Sequence, residues 1–192
     1  MTHIKIILGS NRPGRFVSQP GEWLLGLGKQ IKGATFEIVD LAEIDLPFLN
    51  EPLPALMSDQ YQHEHTQKWS KIVGAADGFV FVTPEYNHGY APVLKNALDY
   101  LYSEWAHKPA AFLSYGADAG GARAAAGLSQ VAGKLGMYDI AEDVVIADYY
   151  TGLNQDGAFV FTDQHKRKAL AMLEQIVFWG EVMREARAKL TK

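Results

Sequence analysis

The sequence predicts an α/β protein built on a parallel sheet with helices on both faces. Three observations carry this. Short apolar runs without polar alternation, at residues 4–8, 79–82 and 110–114, recur along the chain, as strands buried on both sides require. Stretches with helical spacing of apolar residues separate them, so each strand reaches the next through a helical crossover. The 192 residues, 48% hydrophobic and 21% charged, suit one ordinary core, and residues 1–192 are expected to form a single domain.

The elements follow in order. Residues 4–8 make the first strand, and residues 18–31 a helix with Trp23, Leu24 and Leu27 on one face. Residues 36–39 are the second strand, closed by Asp40. Residues 41–56 hold three prolines and little periodicity, which predicts a long loop. A polar helix is expected over 59–75 and a third strand over 79–82. Pro92 stands where a first helical residue belongs and opens a helix to about residue 102, with Val93, Ala97, Leu98 and Leu101 along one face. A fourth strand at 110–114, a small-residue helix at 121–135 and a fifth strand at 144–147 follow. Thr162 or Asp163 caps a last helix that carries Leu170, Leu173, Ile176, Val177 and Met183. Five strands with single crossovers give a flavodoxin-like doubly wound five-stranded parallel sheet. Such sheets bind ligands beyond the carboxyl ends of their strands, where the strand order reverses.

Charge and composition exclude several partners. A net charge of −4 gives no reason to expect nucleic acid or an anionic membrane. The absence of cysteine excludes disulfides, thiol nucleophiles and thiolate metal sites. With no apolar leader and no run of membrane-spanning length, a cytoplasmic location is the default expectation.

Three loops carry chemistry. After the first strand comes Gly9-Ser10-Asn11-Arg12-Pro13-Gly14-Arg15. Its glycines let successive N–H groups turn inward, Ser10 adds a hydroxyl, Arg12 adds a guanidinium fork, and the helix from Ser18 brings its positive end. That combination suits a phosphate, although an exposed arginine on a plain strand-to-helix turn is the simpler alternative. The loop is neither G-x-G-x-x-G nor a Walker A motif, which argues against dinucleotide wrapping and nucleotide triphosphate hydrolysis. After the third strand comes Thr83-Pro84-Glu85-Tyr86-Asn87-His88-Gly89-Tyr90. Here Tyr86 offers an aromatic face, Asn87 and backbone amides offer polar edges, and Glu85 is suited to orienting the loop. After the fourth strand, Ser114-Tyr115-Gly116-Ala117-Asp118-Ala119-Gly120-Gly121 lets backbone approach a flat ligand, unless its small residues serve only tight packing. His63 and His65 lack a third ligand at zinc spacing, His88 reads as a loop residue, and there is no G-x-S-x-G elbow.

These residues resemble the NAD(P)H-dependent FMN reductase family of flavodoxin-like flavin and quinone reductases. The likeness rests on Gly9-Ser10-Asn11-Arg12, Pro84-Glu85-Tyr86-Asn87 and Pro92-Val93-Leu94-Lys95-Asn96-Ala97-Leu98-Asp99, with Lys108-Pro109, Ser114-Tyr115-Gly116-Ala117 and Gly120-Gly121 in the same order. The resemblance implies bound FMN in a homodimer or homotetramer, with NADPH or NADH as electron donor. Ser10 and Arg12, with Phe16, Val17 and Ser18, would hold the phosphate. Pro84, Glu85, Tyr86 and Asn87 would line the isoalloxazine, and Ser114, Tyr115 and Gly116 would close its other side. Electrons would pass in a ping-pong order to a quinone, azo compound, free flavin or similar small acceptor, with no catalytic side chain and no metal. An FMN-binding electron carrier without pyridine-nucleotide activity is the alternative, and Arg12, Arg15 and Arg123 are all candidates for a nucleotide 2′-phosphate.

Overall fold

The computed structural model describes residues 1–190. Its central sheet has the order β2-β1-β3-β5-β6, from β1 (Thr2–Leu8), β2 (Ala34–Asp40), β3 (Gly78–Tyr86), β5 (Pro109–Tyr115) and β6 (Tyr138–Asp139), all parallel. The edge position beside β5 is shared by β6 and a second short strand, β7 (Val144–Ile146). Around the sheet lie α1 (Ser18–Gly28), α2 (Leu41–Ile44), α3 (Glu64–Gly74), α4 (Pro92–Asp99), α5 (Ala122–Lys134) and α6 (Asp163–Leu190). The fold is that of the flavodoxin-like class.

Alternate strand residues feed two cores. Ile4, Ile6 and Leu8 of β1, Val80 and Val82 of β3, and Ala111 and Leu113 of β5 pack under α1 and α6 with Leu24, Leu27, Met172 and Leu173. On the other face, Ile7, Phe79, Phe81 and Phe112 meet Trp69, Leu94, Leu98, Trp105 and Leu128 from α3 to α5 and their connections. Both faces being covered explains why the strands read as apolar runs rather than alternating ones.

Several boundaries differ from the sequence expectation. The first helix ends at Gly28 rather than residue 31, and the third begins at Glu64 rather than residue 59. Asp40 does more than close β2: its Oδ1 accepts the Ala42 N–H at 2.9 Å and caps the four-residue helix α2 inside the expected loop. Two of the three glycines of α1, costly by propensity, are there for proximity, while Gly26 meets nothing within 4 Å. A Cβ at Gly21 would stand 2.4 Å from Leu8 Cδ2, and one at Gly28 would stand 2.6 Å from the Phe36 ring. The last helix is capped by Thr162, whose Oγ1 accepts the His165 N–H at 3.1 Å. His165 Nδ1 accepts the Thr162 N–H at 3.3 Å in return, a capping box with histidine in the place of glutamate.

The expected fifth strand at 144–147 forms as β7, and the short β6 precedes it on the same edge; Ile140 N–H still donates to Ala110 O at 3.0 Å before residues 141–143 leave the ladder. Asp143 fills the gap with its side chain, its Oδ1 accepting the Phe112 N–H at 3.2 Å. Burial pushes its carboxyl up to about 6, against the Phe112 hydrogen bond and with help from Asp139 and Glu142. A carboxyl whose pKa rises on folding holds its proton better in the folded chain, so stability falls as pH climbs from about 4 to about 6 and stays reduced above that. Asp143→Asn keeps an acceptor for Phe112 and removes the charge. It is expected to raise stability at pH 7.5 by about 1–2 kcal/mol, discounted for partial exposure, with the gain vanishing near pH 4 in urea unfolding curves.

Candidate functional site

The carboxyl ends of β1, β3, β5 and β7 open into one cleft of about 140 Å3. The turn after β1 supplies Arg12, Gly14, Arg15 and Phe16, the end of β3 supplies Pro84, Glu85 and Tyr86, and the loop after β5 supplies Tyr115, Gly116 and Ala117. Tyr149, from the 3-10 turn Tyr149–Gly152 that follows β7, completes it.

The turn after β1 is held from both ends. Gly9 N–H donates to Val82 O at 2.8 Å, extending the ladder past β1, and Arg15 N–H folds back on Arg12 O at 3.1 Å. The N–H groups of Phe16, Val17 and Ser18 have no acceptor among the described residues. They stand at the start of α1, where unpaired N–H groups and the helix dipole favour an anion. Val17 is the helix N-cap and contributes no side-chain cap there. Ser10 is buried, with its hydroxyl paired to the Tyr86 hydroxyl at 2.9 Å, a bond that ties the first loop to the third strand.

The arginines divide by what they already hold. Arg15 grips the Asp40 carboxylate with both terminal nitrogens, one pair at 2.6 Å, and donates to Ser10 O at 2.5 Å. Arg123 pairs with Glu85 at 2.6 Å. Both are committed to the scaffold. The Arg12 guanidinium lines the cleft with no hydrogen bond or ion pair among the described residues.

Glu85 is an anchor for α5. One carboxylate oxygen takes the Arg123 side chain and the other accepts the Arg123 N–H at 3.1 Å. Burial raises its pKa, but the Arg123 side chain and the N–H groups of Arg123 and Ala124 outweigh that and hold the carboxyl below its usual range. Residues 84–86, expected as loop, belong to β3. That strand turns back through Asn87 and His88, with φ of 49° and 67°, into β4 (Gly89–Tyr90). Two left-handed residues at the tip make a type I′ hairpin, which explains an Asn-His-Gly sequence there. Pro84 is tolerated in an interior strand because β1 ends at Leu8, opposite Val82, two rungs before it.

On the far wall, Tyr115 is buried and its phenol is pushed well above its ordinary pKa by burial and by Tyr86 and Tyr149, so it stays protonated. Ser114 is turned inward, donating to Gly120 O at 3.0 Å. Gly116 packs so closely that a Cβ would lie 3.0 Å from Gly121 N.

Of the candidate residues, Arg12, Phe16, Pro84, Glu85, Tyr86, Tyr115 and Gly116 line the cleft. Ser10, Val17, Ser18, Asn87 and Ser114 are not among its lining residues: the Ser10 and Ser114 hydroxyls are paired with Tyr86 and Gly120 O, Val17 and Ser18 open α1 next to the lining residue Phe16, and Asn87 sits at the hairpin tip. Gly14, Ala117 and Tyr149 were not among them. Tyr149 lies just past the last strand, and the rule that ligands bind beyond carboxyl strand ends was the signal for it. His63 and His65 stack at 5.1 Å and bond to Asn50, apart from the cleft. Among the described residues, no group of three or more His, Asp or Glu is placed to hold a metal, and no helix is long and apolar enough to cross a membrane.

A cleft at the reversal of strand order is the arrangement of the flavodoxin-like class, and here it is lined by Arg12 and by Phe16 of the acceptor-free turn. The chain belongs to the NADPH-dependent FMN reductase family, whose model matches residues 2–152. It is 45% identical over 135 residues, 70% of this chain and 67% of the other, to an NAD(P)H-dependent FMN reductase of Schizosaccharomyces pombe. It is 32% identical over 146 residues, 73% of this chain and 72% of the other, to an NAD(P)H:quinone oxidoreductase of Solanum tuberosum. In three dimensions it resembles the flavoenzyme NAD(P)H:(acceptor) oxidoreductase FerB of Paracoccus denitrificans, with a TM-score of 0.73 at 23% identity, covering 95% of this chain and 99% of that one. The protein is therefore an oxidoreductase of a family whose chemistry runs on FMN and NAD(P)H.

Proposed function

We propose that residues 1–192 form one FMN-binding domain that passes electrons from NADPH or NADH to quinones, azo compounds, free flavin or similar small acceptors. The observation that carries this reading is the pairing of the unengaged Arg12 with three acceptor-free amides at Phe16, Val17 and Ser18. A phosphomonoester suits that donor set: one guanidinium fork and several N–H groups at a helix start. Residues 84–86 on one wall and Tyr115 and Gly116 on the other give a flat ring aromatic and backbone surfaces. Ser10 and Ser114 hold the walls in place through Tyr86 and Gly120, and Asn87, at the hairpin tip that follows residues 84–86, is the candidate for the ring's polar edge. Bound FMN supplies the hydride acceptance and electron release that no side chain here provides.

The residues bind, orient and exclude. Tyr115 stays neutral and Glu85 stays ionised in its pair with Arg123, so neither is poised to exchange protons near neutral pH, and solvent serves that role. Donor and acceptor would use the same mouth of the cleft in turn, a ping-pong order. Since Arg15 and Arg123 are engaged, Arg12 is the guanidinium left for an anionic group at this mouth.

Assembly as a homodimer or homotetramer in the cytoplasm belongs to the same reading. Phe48 is 86% and Met57 74% exposed, with Leu49, Leu53 and Leu56 beside them. This apolar loop is fixed rather than loose: Asn96 holds Pro47 O and Leu49 N–H, and the Tyr100 hydroxyl holds Pro47 O. A rigid apolar surface of this kind favours association. Sedimentation equilibrium is expected to give a multimer that Phe48→Asp weakens; a concentration-independent monomer would count against this part of the reading. For the activity itself, parallel reactions of the FMN-loaded protein with NADH and NADPH, then with a quinone, test whether both half-reactions occur.

A further inference from the structure

Tyr149 has no counterpart in the loops that the sequence motifs mark, yet it touches the residue at the centre of the anion-binding turn. Phe16 is wedged between two tyrosines: its ring centroid lies 4.9 Å from that of Tyr115, edge to face, and 4.6 Å from that of Tyr149, tilted by 31°. The two tyrosines also meet each other at 5.5 Å, so the three rings form a closed triangle across the ends of β1, β5 and β7. The Tyr149 backbone is itself fixed, its N–H donating to Gly116 O at 3.3 Å. The connection behind it is clamped to the same helix start: Gln19 donates to Gly157 O at 2.9 Å and accepts the Phe159 N–H at 2.6 Å.

This matters because of what Phe16 carries. Its own N–H and those of the next two residues lack acceptors, and nothing from the Val17 or Ser18 side chains caps them. Free amides bind an anion well only when they are held in one arrangement before it arrives. The side chain of Phe16 is the handle by which the rest of the molecule can fix that arrangement, and Tyr149 is one of its two cleft-side grips.

We propose that Tyr149 is a positioning residue for phosphate binding: by packing on Phe16 it orders the N–H groups of residues 16–18, and it contributes little to holding the flavin ring. The proposal rests on the FMN reading above. It separates sharply from a stacking role, because riboflavin has the ring of FMN and no phosphate.

The experiment is a pair of titrations, FMN and riboflavin, on wild type, Tyr149→Ala and Tyr149→Phe, each first checked by circular dichroism and thermal melt. Loss of an aromatic pair in a partly buried site is expected to raise the FMN Kd of Tyr149→Ala about tenfold, the equivalent of ~1.4 kcal/mol. Riboflavin affinity is expected to change less than about twofold, and Tyr149→Phe, which keeps the ring contact, to resemble wild type with both ligands. Equal losses of FMN and riboflavin, or no loss of FMN, would overturn the positioning role. Should Tyr149→Ala fail to fold, a Tyr149→Leu variant titrated in the same way decides the question by the same FMN-to-riboflavin ratio. Wild type that binds FMN no better than riboflavin would instead overturn the phosphate site itself, a failure visible before any Tyr149 variant is read.

Discussion

Arg12→Ala is expected to weaken FMN binding by about 10- to 100-fold, because a charge-assisted hydrogen bond contributes about 1.5–3 kcal/mol. Of the three arginines near the cleft, only Arg12 has an available guanidinium among the described residues. Arg15 spends both terminal nitrogens on Asp40, and Arg123 is tied to Glu85, so removing either damages the scaffold as well as any binding. The Arg12 side chain leaves no partner behind among the described residues when it is cut, so the fold is expected to survive its loss. The variant should melt within about 2 °C of wild type, as surface substitutions usually do. Riboflavin affinity should be nearly unchanged. Arg12→Lys should recover only part of the loss, since an ammonium lacks the planar fork. Fluorescence titration of both flavins checks each statement. An FMN affinity insensitive to Arg12 would move the phosphate elsewhere.

Gly121→Ala is expected to cost about 3 kcal/mol of stability, combining a left-handed backbone with a backbone clash. Gly121 has φ of 83°, and a Cβ there would lie 2.8 Å from Tyr115 N and 2.9 Å from Tyr115 O. No rotamer change relieves contact with main chain, so the turn into α5 must shift. For a chain of this length the corresponding fall in melting temperature is about 6–12 °C. The same turn carries Gly116, which packs against Gly121 N, and Ser114, whose hydroxyl is held by Gly120 O. Flavin affinity should therefore fall with stability, for FMN and riboflavin alike, in contrast to Arg12→Ala. Urea unfolding followed by tryptophan fluorescence measures the first effect. A change below about 0.5 kcal/mol would mean the turn is more pliant than its contacts imply.

Local chemistry encodes part of this molecule, and only assembly decides the rest. The parallel sheet was legible because its inner strands are apolar on both faces and the crossovers between them are helical, as Ile4 to Leu8 and Phe79 to Val82 show. The position of the cleft followed from that sheet. The commitments of individual side chains were not legible. Arg12 and Arg15 look equivalent three residues apart, but only the second meets Asp40, which β2 brings alongside through pairing with β1. Nor do the motifs reveal the partners of Ser10 and Ser114, whose hydroxyls meet Tyr86 and Gly120 O. The hairpin at Asn87 and His88 was hidden because the apolar signal of β3 stops at Val82 while its hydrogen-bonded strand runs on to Tyr86. The gap between β6 and β7 has Asp143 standing in for a backbone acceptor, which no periodicity reveals.

The most direct measurement is the visible spectrum of the purified, FMN-loaded protein before and after anaerobic addition of NADH or NADPH. The account predicts that the oxidised flavin bands bleach rapidly with at least one nucleotide and return when a quinone is added. Bound flavin that stays oxidised with both nucleotides would contradict it and favour an electron carrier, and a protein that cannot be loaded with FMN would remove its foundation.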